Sequence, residues 1–242
     1  MKEWFQNWFN SPYYRLLYRH RDESEAENFI KVLLKVMSLD KDSRILDMPC
    51  GNGRHARVLA DMGYNVTAAD LSERNIEEAT TNAKSNLHFV VHDMRFPIAE
   101  NYFNAVLNLF TSFGYFTSAG ENEKTLQAFS IALKPNGILV IDFFNKNSVC
   151  NNLKNDDSRR VEDVEFLIER KIESNHVVKK IEVNDGGKRF QFEERVQLLE
   201  LKDFEQMLTS SGFRIEKIFG NYSLEPFSEN SERLILIARK NG

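Results

Sequence analysis

The residues of this chain whose types and spacing can do chemistry gather between Asp47 and Asp70. Gly51, Gly53 and Ala56 satisfy the spacing G-x-G-x-x-A, in which missing side chains let a ligand approach the backbone and let a helix pack close to the strand before it. Asp47 stands just ahead of that turn, where a carboxylate is unfavourable beside a pyrophosphate but suits a ligand with a cationic centre. Asp70 closes the next apolar run, the position from which an acidic residue accepts hydrogen bonds from ribose hydroxyls. The chemistry on offer is the binding of a cationic nucleoside.

The elements that must position these groups are legible around them. Arg44 to Met48 is a short apolar run bounded by Pro49 and Gly51, and Arg54 to Met62 carries Ala56, Val58, Leu59 and Met62 at close to helical spacing until Gly63 stops it. Val66 to Ala69 reads as a second strand, which puts Asp47 and Asp70 on one edge of a parallel sheet. Ahead of the sheet, Trp4 to Phe9, Pro12 to Tyr18 and Glu23 to Met37 read as helices. After Asp142 the periodicity changes: Val164 to Ile172, Val177 to Val183 and Arg189 to Leu199 read as three antiparallel strands, with a hairpin turn at Asn184 to Gly187. Asn145 to Ser158 reads as a linker. Lys202 to Ser211 reads as a helix, followed by strands at Phe213 to Phe219 and Arg233 to Arg239.

The segment Asp47-Met-Pro-Cys-Gly-Asn-Gly53 and the acidic end at Asp70 resemble the first two motifs of the class I S-adenosylmethionine-dependent methyltransferases. His92-Asp93-Met94-Arg95, after the apolar Leu87 to Val91, is similar to the adenine-contacting motif of that family. Asn108 to Phe116 looks like its segment after the fourth strand, and Ala132 to Gly137 like its turn before the fifth, Ile138 to Asp142. The resemblance covers roughly Tyr13 to Asn145 and is nearest to small-molecule enzymes such as aminosugar N-methyltransferases. It implies a doubly wound, Rossmann-like α/β fold with a seven-stranded sheet, an N-terminal helical cap over residues 1–40, a cofactor-binding domain over 41–147 and 201–242, and an inserted antiparallel β-sheet over 148–200 that lies above the cofactor as a lid.

The same resemblance implies S-adenosyl-L-methionine as cofactor, S-adenosyl-L-homocysteine as product and a small-molecule acceptor with an N or O nucleophile. It assigns cofactor contacts to Tyr14, Tyr18 and Arg21 at the methionine carboxylate, with Arg19 a further candidate there. It assigns others to Asp47, Gly51 and Gly53 along the turn, to Asp70 and Leu71 at the ribose, to Asp93 and Met94 at the adenine, and to Phe110 packed on the cofactor. Phe110, Phe113, Phe116, Phe143 and Phe144, out of 19 phenylalanines, are expected to line an aromatic pocket. Thr111, Tyr115 and Asn145 are candidates for orienting an acceptor; His55 and His92 are the histidines placed to act as a base, which an oxygen nucleophile needs and an amine does not.

A formal net charge of −4 over 242 residues lacks the basic footprint of a general nucleic-acid binder. Arg159-Arg160, Lys179-Lys180 and Lys188-Arg189 are local basic pairs expected at solvated strand edges. Two cysteines, Cys50 and Cys150, offer neither a metal-ligand spacing nor a disulfide framework. With no run long enough to span a membrane and an aromatic, polar start, the chain is expected to work in the cytoplasm. The strand edges of the insertion leave a homodimer open. Two other readings share the cofactor turn: an NAD-dependent oxidoreductase, and a catalytically silent S-adenosylmethionine-binding protein.

Overall fold

The computed structural model describes residues 3–19, 23–116 and 118–242. The chain begins with three helices, α1 (Trp4–Phe9), α2 (Pro12–Tyr18) and α3 (Glu23–Met37). Five parallel strands follow: β1 (Arg44–Asp47), β2 (Asn65–Asp70), β3 (Leu87–Val91), β4 (Phe103–Asn108) and β5 (Leu133–Phe144). They are linked by α4 (Arg54–Asp61), α5 (Glu73–Thr80) and α6 (Ala119–Ala132). A short helix α7 (Lys146–Asn152) leads into β6 (Asp156–Val161), β7 (Val164–Glu173), β8 (His176–Asp185) and β9 (Lys188–Gln197). The chain then returns through α8 (Leu201–Ser210) to β10 (Phe213–Phe219) and β11 (Arg233–Lys240).

The larger sheet has seven strands in the order β10-β11-β5-β4-β1-β2-β3. The strands β5-β4-β1-β2-β3 run parallel, and β11 pairs antiparallel with both β5 and β10. Alternation along each strand sends neighbouring side chains to opposite faces. Leu46, Val106, Leu139 and Leu236 join Phe129 of α6 and Phe204 of α8 on one face. Ile45, Leu107, Val140 and Ile235 join Ile30 and Leu33 of α3 and Leu59 of α4 on the other. Both faces are covered, the doubly wound arrangement expected from the sequence. The strand order reverses between β1 and β4, so their carboxyl ends part there and leave a crevice.

The second sheet has four antiparallel strands in the order β6-β7-β8-β9. Helices α1 and α2 cover part of its inner face, burying Trp8 and Leu17 against Phe166, Ile168, Ile181 and Val183. Trp4 reaches back to the first sheet, donating its indole N–H to the carbonyl of Tyr115 at 3.2 Å. The N-terminal helices thus bind the insertion to the parallel sheet.

Three expectations are corrected. The stretch read as a linker holds α7 and β6, so the insertion has four strands. The sequence DDSRRV concealed β6, an edge strand paired only with β7 and mostly exposed, so its solvated groups carry no apolar alternation. The turn expected at Ala132 to Gly137 is a bulge within β5, where the register with β4 shifts and Asn136 takes a φ of 61°. Lys179 is not at a solvated edge, because β8 is an inner strand.

Gly53 begins α4 with a φ of 79°, and an added Cβ would lie 2.5 Å from the Phe89 ring. Gly51, at a φ of 56°, has nothing within 4 Å of that position. Gly53→Ala is expected to cost about 2–4 kcal/mol in urea unfolding and Gly51→Ala about 1–2, the difference being overpacking against Phe89. Equal losses would show that α4 does not pack on Phe89 in this way.

Candidate functional site

A cavity of about 660 Å³ opens where β1 and β4 part, closed above by α1, α2 and the inner face of the four-stranded sheet. Of the residues expected to hold a cofactor, Tyr14, Tyr18, Gly51, Asp70, Leu71, Asp93, Met94 and Phe110 line it. Arg21 lies outside the described residues. Asp47 and Gly53 do not reach the cavity surface. Asp47 is 1% exposed and sits behind Met48, Pro49 and Cys50, which do line the cavity.

The floor is organised by two buried carboxylates. Asp70 accepts hydrogen bonds from the amides of Gly51 and Ser72, both at 2.8 Å, and so fixes the glycine turn on one side and the start of α5 on the other. Asp70 is therefore a structural tie as well as a cavity group, more than the strand-end ligand group read from the sequence. Ser72 then caps α5 by accepting from the Asn75 amide. Burial raises the pKa of Asp70, and the two amides pull it back.

Asp47 is harder to satisfy. Neither of its oxygens has a hydrogen-bond partner of ordinary geometry among the described residues. Burial, and next the charge of Asp70, push its pKa up to about 7; the nearby Ala56 amide and the Arg54 guanidinium oppose them. The same burial and the two carboxylates raise the Cys50 thiol well above its ordinary value. Asp47 therefore holds its proton up to about pH 7, and a cationic ligand in this corner would favour its ionised form.

At the far end of β3, Asp93 is engaged by Arg95. Burial alone would raise the Asp93 pKa, but the guanidinium and amide of Arg95 bring it below the usual range. Arg95 donates to both Asp93 oxygens, at 3.1 Å from Nε and 2.7 Å from Nη2. It also donates to Glu121 of α6 and to Glu3 beside α1. One cation therefore fastens the N-terminal segment to the cavity rim, and the Asp93 carboxylate keeps little acceptor capacity for an adenine amine. Met94 is its apolar neighbour in the wall.

Sequence reasoning missed a third buried carboxylate. Asp142 of β5 is 0% exposed; it accepts from Arg233 at 2.7 Å and from the Phe110 amide at 2.8 Å, with the Tyr222 hydroxyl at 3.3 Å. Its own carbonyl takes the Thr111 amide. Phe110 and Thr111 both have positive φ, 59° and 58°, and this set of bonds holds them there. Burial alone would lower the Arg233 pKa, but Asp142 raises it overall; burial and Asp142 together raise Tyr222. The visible signal was an aspartate ending the apolar run Ile138 to Ile141. Phe110 is consequently presented to the cavity between Tyr222, stacked at 5.5 Å, and the Arg54 guanidinium at 4.1 Å.

The aromatic wall differs in part from expectation. Phe110, Phe116 and Phe144 line the cavity with Tyr115, whereas Phe113 and Phe143 lie in the core against Phe204. Thr111 lines the cavity too, but Asn145 caps α7 and donates to carbonyls of the loop before β11. His55 and His92 both face the cavity.

Residues 45–137 match the family model described as a methyltransferase domain. The chain is 25% identical over 214 residues to a putative methyltransferase of Bacillus subtilis, YqeM, covering 84% of this chain and 87% of that one. Among solved structures, an S-adenosylmethionine-dependent methyltransferase from Clostridium acetobutylicum superposes with a TM-score of 0.80 at 23% identity, over 95% of this chain and 96% of that one. The sugar N-methyltransferase KedS8 of a Streptoalloteichus species superposes with a TM-score of 0.74 at 21% identity, over 95% and 93%. The fold is the Rossmann-like fold of those enzymes.

In the folded chain Asp47 holds its proton up to about pH 7, whereas its ordinary value is 3.8. Between those values the folded state binds more protons than the unfolded one, so this group's contribution to stability falls as pH rises. Asp47→Asn removes that dependence. Relative to the unsubstituted protein, the variant is expected to gain stability as pH rises from about 4 to about 7 in urea unfolding. A difference independent of pH would show that Asp47 is ionised in the folded chain throughout.

Proposed function

We propose that this chain, which carries a methyltransferase domain, uses S-adenosyl-L-methionine to methylate a small-molecule acceptor at nitrogen or oxygen, releasing S-adenosyl-L-homocysteine. The observation that carries this reading is the buried carboxylate of Asp47 beside Asp70, without a hydrogen bond of ordinary geometry among the described residues, behind a glycine turn whose Gly51 faces open space. That corner fits a cationic nucleoside and opposes a pyrophosphate. S-adenosylmethionine, when bound, supplies a methyl group on a sulfonium leaving group.

The chain's own residues then have a positioning task. Asp70 spends one acceptor site of each oxygen on an amide, and a carboxylate has about four, so both oxygens retain capacity for ribose hydroxyls. Gly51 lets the backbone come close. Met94 and Leu71 supply apolar surface for the base, and Phe110, rigidly held, packs from the opposite side. Tyr14 and Tyr18 form the roof with α2. Trp4, Phe5 and Phe9 of α1 add aromatic surface to the cavity, which lowers the dielectric around its charged groups.

The bordering of the cavity by the helices and the inserted sheet, among the described residues, supports a small acceptor. KedS8, whose fold is shared, acts on a sugar nitrogen, in keeping with an acceptor of that size. An amine acceptor sheds its proton to water; an oxygen acceptor would draw on His55 or His92.

Thermal unfolding with S-adenosylmethionine, S-adenosylhomocysteine and NAD in parallel tests the reading. At about a hundredfold excess over its dissociation constant, each adenosyl compound is expected to stabilise by roughly 2.7 kcal/mol, a shift of about 5–10 °C, with NAD giving none. Asp70→Asn keeps only one of the two amide contacts, because its NH2 cannot accept the other, and should both lower the basal stability and weaken that shift. Stabilisation by NAD alone would overturn the reading, and binding of both adenosyl compounds without turnover on any amine or hydroxyl acceptor would mark a silent binding protein.

A further inference from the structure

Over β7, β8 and β9, the inner face from the Phe166 row to the Ile172 row is apolar except for one row. Cross-strand pairing aligns Ile168, Ile181 and Phe192, and two residues further along it aligns Arg170, Lys179 and Glu194; beyond them come Ile172, Val177 and Val196. On a face that packs against helices, three charged residues between apolar rows are expensive unless they bind something. Arg170, Lys179 and Glu194 are not turned out to water: their side chains are 20%, 12% and 19% exposed, and all three line the cavity opposite the glycine turn.

Their hydrogen bonding separates the carboxylate from the cations. Glu194 Oε1 accepts from the Trp8 indole and the Tyr18 hydroxyl, both at 2.7 Å, and Lys179 stands 3.4 Å from Oε2. Lys179 also contacts the Tyr18 hydroxyl and lies over its ring. Glu194 is thus committed to holding α1 and α2 down on the sheet. Arg170 donates to the carbonyl of Lys154, and its nearest carboxylate is Asp157 at 3.6 Å, which Lys154 and Arg159 share. Among the described residues, the row thus sets Arg170 and Lys179 beside a committed Glu194 and an Asp157 that is shared with Lys154 and Arg159, which biases this half-buried wall toward positive charge.

We infer that this row is the wall that recognises the acceptor, and that the acceptor carries an anionic group, a carboxylate or a phosphate, held by Arg170 and Lys179. The inference rests on reading the cavity as a methyl-transfer site. It deepens that reading by separating two chemistries: a negative floor on the parallel sheet for the cationic cofactor, and a positive wall on the insertion for the acceptor. The planar guanidinium of Arg170 suits either anion, and the aromatic groups between floor and wall leave the nucleophile an apolar path toward the glycine turn.

Titration calorimetry on the intact protein saturated with S-adenosylhomocysteine tests this. Three probes are compared: benzylamine, 4-(aminomethyl)benzoate and 4-(aminomethyl)phenylphosphonate. Both anionic probes are expected to bind about tenfold or more tightly than benzylamine, the scale of one charge-assisted contact, and whichever binds better identifies the anion. Arg170→Gln should erase most of that preference without altering S-adenosylhomocysteine affinity, and Glu194→Gln, which removes the counter-charge but keeps an acceptor for Trp8 and Tyr18, should increase it. A purely structural row would not give opposite signs. Equal or tighter binding of benzylamine, no binding of any probe, or an unchanged preference in Arg170→Gln would overturn the inference. Loss of S-adenosylhomocysteine binding in the unsubstituted protein would instead remove the methyl-transfer reading, and the same titrations without it would still judge the row.

Discussion

Two carboxylates buried at the ends of adjacent parallel strands set the terms for this molecule. Burial raises the pKa of both Asp47 and Asp70, and the charge of Asp70 raises Asp47 further, a strain the fold meets only in part. Asp70 is answered by the amides of Gly51 and Ser72, and this answer shapes the turn: Gly51 and Gly53 adopt positive φ, and the Ala56 amide in the first turn of α4 comes near Asp47. Asp47 has no comparable answer. A ligand bearing a positive centre relieves a repulsion already present in the folded chain, so part of its affinity comes from the protein's own electrostatics.

The opposite side of the crevice is stiffened by the same means with a different balance. Asp142 is as deeply buried, yet it is neutralised by Arg233, so its negative charge serves to hold Phe110 and Thr111 in a conformation they would otherwise leave. Because Asp142 lies on β5 and Arg233 on β11, the pairing also locks the antiparallel strand to the parallel block at its carboxyl edge. One carboxylate is left to attract a ligand and another is consumed in building the wall beside it.

The sequence made the half-fold from β1 to β5 legible because its signals are local: glycines where the backbone must turn, apolar runs of strand length, and acidic residues at their ends. The helices before it were legible from spacing alone. Signals failed where a residue's role depends on a distant partner. Asp93 reads as an adenine ligand, and nothing local announces that Arg95 engages it while also pairing with Glu3 and Glu121. Lys179 reads as a solvated pair with Lys180 until β8 is seen to be an inner strand whose alternate side chains enter the cavity. β6 carries no apolar alternation, since an edge strand with both faces wet needs none. Phe113 and Phe143 are ordinary core residues in a phenylalanine-rich chain, and composition alone cannot tell core from pocket.

What joins the two halves of the cavity is the N-terminal segment, and its attachments show how the site can close. Trp8 and Tyr18 are tied to Glu194 on the insertion, Trp4 to the Tyr115 carbonyl on the parallel sheet, and Glu3 through Arg95 to Asp93 and Glu121. The first two sets join α1 and α2 to walls that the remaining chain positions independently; the last ties them to the rim where a nucleoside base would lie. Each single tie is a part-buried hydrogen bond or ion pair of modest net worth, on the order of 1 kcal/mol, so they give way one at a time. The buried face of Trp8 and Leu17 does not. Among the described attachments, the seat of α1 and α2 on the inserted sheet is therefore the firmest, because it buries Trp8 and Leu17 rather than relying on polar contacts alone.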